Sequence, residues 1–193
     1  MTAPKRHRDT NPSAFQTQCI PNRINDEIFT HNPLATALLT SCVTTPAVSP
    51  EVRRATLSAQ IATYQSDPAV VAFLTEEAMR AGVKSIRPVP AGGVPVLGKK
   101  IQTRYGMATN NGMVYVNAEN DIGRSVANIA HEIAHVGNFE RVCGGHTSRW
   151  LAAYHAIALR YMARFPGATW AGKRPVDEVM RNKSRYGIGD TCP

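Results

Sequence analysis

From residue 49 onward the apolar and polar positions repeat with periods that can be assigned to elements. Ser49-Pro50-Glu51 opens a helix, with serine as cap, proline at the first position and an acid in the first turn, and this helix should run to about Tyr64. Asp67-Pro68 repeats the signal, and a second helix runs to Gly82 with Val70, Val71, Phe73, Leu74 and Ala78 on its apolar side. Residues 83–89 read as a strand, and 88–98 as a Pro/Gly-rich loop. Residues 99–109 alternate, with Ile101, Thr103, Tyr105 and Met107 on one face, and 113–117 is a short apolar strand. Between them Asn110-Asn111-Gly112 is a hairpin turn, because Asn and Gly tolerate the positive φ such turns need. A helix is expected over 121–136, between Asn120-Asp121 and Gly137-Asn138. Another spans 147–165, capped by Thr147 or Ser148, with Trp150, Leu151, Tyr154, Ile157, Ala158, Tyr161 and Phe165 along one face. The pattern predicts an α+β domain with a small antiparallel sheet.

Residues 1–48 are rich in Thr, Pro, Ser and Asn and show little periodicity, apart from a short helix around 33–39. The expected organisation is therefore an irregular arm over 1–48, a domain over 49–166 and a weakly patterned basic tail over 167–193. The 193 residues suffice for one domain with a real core. No stretch is long and apolar enough to span a membrane, and the basic N-terminus has no apolar run behind it, so a cytoplasmic protein is expected. Cys19, Cys42, Cys143 and Cys192 form no Cys-x-x-Cys pair, and reduced thiols are the expectation. Net charge is +8, and residues 141–193 carry nine Lys/Arg against three acids. Such a skew favours an acidic partner such as nucleic acid, set against a merely solvated basic face.

The helix over 121–136 carries the candidate chemistry. Residues 131–135 read His-Glu-Ile-Ala-His. Imidazoles four apart lie on one helix face, and the glutamate between them can reach a water on a metal without being a ligand. On a helical wheel with His131 at zero, His135 falls at about 40°, while Ile122, Val126, Ile129, Ile133 and Val136 fall between roughly 140° and 220°. His131 and His135 should therefore face a cleft opposite the core, with Glu132 at the edge of that face as general base.

A catalytic zinc usually takes three protein ligands and leaves a fourth position for water. The metzincin spacing fails, because Asn138 and Arg141 stand where Gly and His are required. A thermolysin-like scheme would need a later glutamate, for which Glu178 is a poor candidate. His146, after a Gly-rich loop and at the start of the next helix, fits best, with His155 as rival and Cys143 as a lesser candidate for an extra ligand.

A strand ending Val114-Tyr115-Val116-Asn117, a helix bearing His131-Glu132-Ile133-Ala134-His135, and a loop leading to His146 with Trp150 four residues on together resemble the SprT-like zinc metallopeptidases. The likeness is tightest over 113–150. Thr147 stands where that family usually has Gly, and only Cys192 lies where many members carry a zinc ribbon. The resemblance implies a minimal zincin-like fold and a Zn2+ ion held by His131, His135 and His146. It implies a zinc-dependent endopeptidase in which Glu132 serves a metal-activated water, acting on protein or peptide, DNA-associated proteins among them. Arg149, Tyr154 and His155 are candidates for a further donor to the reacting carbonyl. A substrate could lie along an edge of the hairpin over 99–117. Two other readings remain: a non-catalytic, zinc-stabilised nucleic-acid-associated protein, and a virion-borne peptidase acting on host proteins.

Overall fold

Two capped helices begin the described part of the chain, which in the computed structural model comprises residues 48–138, 140 and 142–192. The arm over residues 1–47, with the helix expected near 33–39, lies outside it. In α1 (Pro50–Ala62) the Ser49 hydroxyl accepts from the Val52 N–H, and in α2 (Pro68–Ala81) the Asp67 carboxylate accepts from the Ala69 N–H. Each cap satisfies a backbone donor that a helix start leaves unpaired. Leu57 and Ile61 of α1 join Val70, Phe73, Leu74 and Ala78 of α2 in one apolar core.

The strands are short: β1 (Ser85–Pro88), β2 (Val94–Val96), β3 (Lys99–Ile101), β4 (Gly106–Ala108) and β5 (Met113–Val116). The main sheet has the order β1-β5-β4 and is mixed, since β5 runs parallel to β1 and antiparallel to β4. The expectation of an antiparallel sheet is corrected on this point. After Pro88 the chain leaves the sheet through the separate β2–β3 hairpin and re-enters at the far edge as β4. Turning back over Asn110-Asn111-Gly112 then brings β5 alongside β1 in the same direction, with Gly112 at φ +86°.

The single alternating strand expected over 99–109 is two strands, because the chain turns at 102–105. There the Thr103 hydroxyl donates to the Gly106 carbonyl, and the Arg104 carbonyl accepts from the side-chain amides of Asn117 and Asn120. β2, within the segment read as loop, pairs with β3 across Leu97-Gly98. Both turn residues have positive φ, 49° and 76°, a conformation for which Leu97 gives no sequence cue.

The helix expected over 121–136 is also broken. α3 (Asp121–Arg124) and α4 (Val126–His135) meet at Ser125, whose ψ of 151° is extended. Its hydroxyl accepts from the Asn128 N–H at 3.2 Å and donates to the Ile122 carbonyl at 2.7 Å, closing one helix and opening the next. The wheel therefore holds only from Val126, and Ile122, assigned by it to the apolar stripe, is 55% exposed. α4 packs on α2, α5, β4 and β5, with Ile129 and Ile133 fully buried.

α5 (Ser148–Arg164) has Thr147 as its cap and buries Trp150, Tyr154, Ile157, Ala158 and Tyr161, the face expected for it. Residues 167–193 differ from the basic tail expected. They contain α6 (Pro175–Arg185), which packs against α5 and buries Pro175, Glu178, Val179 and Asn182. Among the described residues no helix is long and apolar enough to cross a membrane.

Candidate metal centre

The rigid turns of α4 place His131 and His135 with their Nε2 atoms 3.3 Å apart. The chain then passes through a short 3-10 turn, Val142–Gly145, in which Cys143, Gly144 and Gly145 all have left-handed φ of 53°, 61° and 82°. That reversal swings His146 back towards α4, and its Nε2 lies 3.1 Å from that of His131. The three ligand atoms all lie within 4.8 Å of one another, a group able to hold a metal ion. His131, His135 and His146 are thus brought together from one helix and the loop that follows it.

Glycines make the approach possible. A Cβ on Gly145 would sit 3.3 Å from Nδ1 of His135, at a positive φ that side chains rarely adopt. A Cβ on Gly106 of β4 would meet Cγ of Glu132 and the Tyr115 carbonyl, each at 2.9 Å. Neither glycine was singled out from sequence, where nothing separates them from the other turn glycines.

Burial sets the electrostatics. Desolvation, then the neighbouring His135 and His146, hold His131 well below the usual imidazole range. Burial and His146 lower His135 to about 3, opposed by a backbone hydrogen bond at Gly145. Burial lowers His146 to about 4, opposed by a backbone hydrogen bond at Cys143. The Nε2 atoms of His135 and His146 both approach that of His131, so these are the atoms that would face a metal. Neutral imidazoles whose lone pairs face one point repel, and a cation between them relieves this.

Glu132 is only 6% exposed, and burial pushes its carboxyl up to about 8, opposed by a backbone hydrogen bond at Ala108. It therefore does not stand open at the cleft edge as the wheel implied. It is enclosed between α4 and β4, at the wall of a cleft of about 1180 Å³ that also exposes the three histidines.

Aromatic rings support the histidines. Trp150 donates its indole N–H to the His131 carbonyl at 3.3 Å and stacks against His135 at 23°. Tyr186, just beyond α6, lies parallel to His146 with ring centroids 3.7 Å apart. Tyr186 was missed because the segment carrying it was read as tail. Its helix did leave a signal: proline at the first position, Asp177 and Glu178 in the first turn, and Lys183 and Arg185 in the last.

The rival residues are accounted for. His155 is exposed on α5 and does not belong to the three-histidine group. Cys143 is joined to Cys192 by a disulfide, which corrects the expectation of reduced thiols for this pair. The 49 residues between them hid the pairing, and only the return of the chain after α6 brings the two Cα atoms to 5.9 Å. Glu178 accepts from Arg181 and from Asn182, so its oxygens are engaged within α6.

Comparison with known proteins adds no relative: no protein-family model, curated protein or solved structure matches the chain.

Proposed function

We propose that this protein is a zinc-dependent endopeptidase with a zincin-like catalytic centre similar to that of the SprT-like metallopeptidases. The observation that carries the reading is the convergence of three imidazole Nε2 atoms at 3.1 and 3.3 Å beside the buried carboxyl of Glu132. Zn–N bonds of 2.0–2.1 Å at tetrahedral angles put ligand nitrogens about 3.3 Å apart, which the separations of His131 from His135 and from His146 match, and all three ligand atoms lie within 4.8 Å of one another. Three neutral imidazoles also suit this borderline-soft ion. Among the described residues no fourth His, Cys, Asp or Glu joins the group. That favours a catalytic centre over a structural one, which a fourth protein ligand would close.

Bound there, zinc would polarise a carbonyl and bring the pKa of water towards 7. His131, His135 and His146 would hold it. Glu132 would take the proton from the attacking water and pass it to the leaving amine; a cation held by the three histidines would lower its carboxyl from the raised metal-free position, so that it can accept that proton.

β4 offers a place for the substrate. Thr109 and Tyr105 bond back to β5 at Met113 and Asn117, so the polar groups of the intervening Gly106 and Ala108 turn to the outer edge of the sheet, where the Gly106 carbonyl already accepts from Thr103 and the Gly106 N–H and Ala108 carbonyl are left for a substrate. An extended peptide added along that edge would be held mainly by its backbone.

Nucleic acid as an accessory partner has weaker support. Arg149, Arg160 and Arg164 are paired with Glu140, Glu77 and Glu76, which removes part of the basic excess. Lys173, Arg174, Lys183 and Arg185 remain exposed around α6 and would suit an acidic partner. Association that weakens steeply with salt would support nucleic acid.

The test of the activity is incubation of the zinc-loaded chain with a denatured, sequence-diverse protein, followed by identification of new N-termini by mass spectrometry. New termini that disappear with chelator are expected. Their absence in the zinc-loaded sample would refute the reading.

A further inference from the structure

Hydrolysis of a peptide places negative charge on the attacked carbonyl oxygen, and enzymes supply a fixed donor where that charge develops. The three candidates named from the sequence, Arg149, Tyr154 and His155, do not provide it. Arg149 has a 72% exposed side chain 3.6 Å from Glu140. Tyr154 is buried and donates its hydroxyl to the Ala127 carbonyl at 3.1 Å. His155 is exposed on α5.

Tyr186 meets the requirement. Its ring lies 9° from parallel with His146 at a centroid distance of 3.7 Å, and its side chain lines the same cleft as Glu132 and the three histidines. Its hydroxyl makes no hydrogen bond among the described residues, unlike that of Tyr154. Its backbone is fixed at the end of α6 by an N–H bond to the Asn182 carbonyl at 3.0 Å, and the Arg185 guanidinium stands 5.4 Å over its ring. The disulfide at Cys192 anchors the chain that follows. A half-buried phenol that stacks on a candidate ligand, lines the cleft and has no partner of its own among the described residues is free to donate to a group bound there.

Given the peptidase reading, we infer that the Tyr186 hydroxyl is a catalytic residue, donating a hydrogen bond to the oxygen anion that develops on the attacked carbonyl. The ring positions His146, and the hydroxyl acts on the substrate.

The two roles separate in Tyr186→Phe and Tyr186→Ala, each compared with the wild-type chain for zinc content, for affinity towards a phosphinic dipeptide that mimics the tetrahedral oxyanion, and for kcat and KM. Tyr186→Phe should keep one zinc per chain and bind the phosphinate about 10–100-fold more weakly, the range for a lost hydrogen bond to a charged group. Its kcat should fall about 100-fold with KM changed by less than about threefold. Tyr186→Ala should in addition bind zinc more weakly. The inference is overturned if Tyr186→Phe binds the phosphinate as tightly as wild type, if it loses zinc as the alanine variant does, or if the zinc-loaded wild type does not bind the phosphinate. A wild type that binds the phosphinate in a Tyr186-dependent way yet cleaves no peptide would refute the peptidase reading and leave the Tyr186 oxyanion site standing.

Discussion

Cys143 and Cys192, 49 residues apart in sequence, are joined by a disulfide that ties the turn before His146 to the chain beyond α6. The bond braces both the loop that aims His146 and the segment that holds Tyr186 against it. Replacing both cysteines by serine should lower stability by about 2–4 kcal/mol, mainly by releasing the unfolded chain. Zinc affinity should also fall about tenfold, because the support around a ligand would loosen. Urea unfolding and competition with a chromophoric chelator measure the two effects. Unchanged zinc affinity in the double variant would show that the loop holds its shape without the bond.

A Cβ added at Gly145 would lie 3.3 Å from the ring of His135, and the residue has φ +82°. Gly145→Ala therefore combines backbone strain with a displaced ligand, and should weaken zinc binding by about 10–100-fold. Gly144→Ala is the control, since its added Cβ would come no nearer than 3.9 Å to Nδ1 of His146 despite a similar φ of +61°. Equal losses in the two variants, read by metal competition, would assign the effect to the backbone and not to the His135 ring.

The metal-free protein should show a defined pH profile. His135 and His146 move from 6.5 in the unfolded chain to about 3 and about 4, and His131 moves in the same direction. Below pH 6.5 the unfolded chain therefore binds more protons than the native one at these positions, and stability drops as the pH falls through that range. Glu132 moves from 4.5 up to about 8, so the native state holds the extra proton between those values and its contribution is lost as pH rises through them. The histidines dominate below pH 6.5 and Glu132 acts alone from there to about 8, so metal-free stability should peak near pH 6.5. Saturating zinc should deepen the acid loss, because protons compete for all three ligands. Urea midpoints from pH 4 to 9, with and without zinc, check this; a metal-free profile that rises steadily past pH 8 would contradict it.

What was legible in the sequence follows from how local each feature is. The caps at Ser49, Asp67 and Thr147 are written within three residues of the helices they start. His131 and His135 share a helical face whatever the tertiary structure, and the Gly-rich loop pointed to His146. The break at Ser125 was hidden because the apolar period continues through it. The parallel pairing of β1 with β5, the disulfide and the stacking of Tyr186 on His146 join distant segments. No local pattern encodes those. α6 was a different case, for its proline and charge placement were present and were outweighed by the impression of a basic tail.

The Glu77–Arg160 pair anchors α2 to α5 away from the centre. Glu77 is buried, and Arg160 reaches both its oxygens at 2.7 and 2.6 Å. Arg160→Met should cost about 3 kcal/mol by leaving a buried carboxylate without its main partner. The double variant Arg160→Met with Glu77→Gln should recover part of that loss, since no full charge is then buried. Urea unfolding measures both, and a single variant as stable as wild type would contradict the prediction. Zinc content should stay at one per chain in each.

The central claim is that Glu132 works on water beside a zinc held by His131, His135 and His146. Its most direct test is Glu132→Gln, assayed for zinc content and for cleavage of a denatured protein in the same preparation. Bound zinc should remain at one per chain while cleavage falls at least about 100-fold, the loss expected on removing a general base. Cleavage at the wild-type rate with zinc in place would contradict the account.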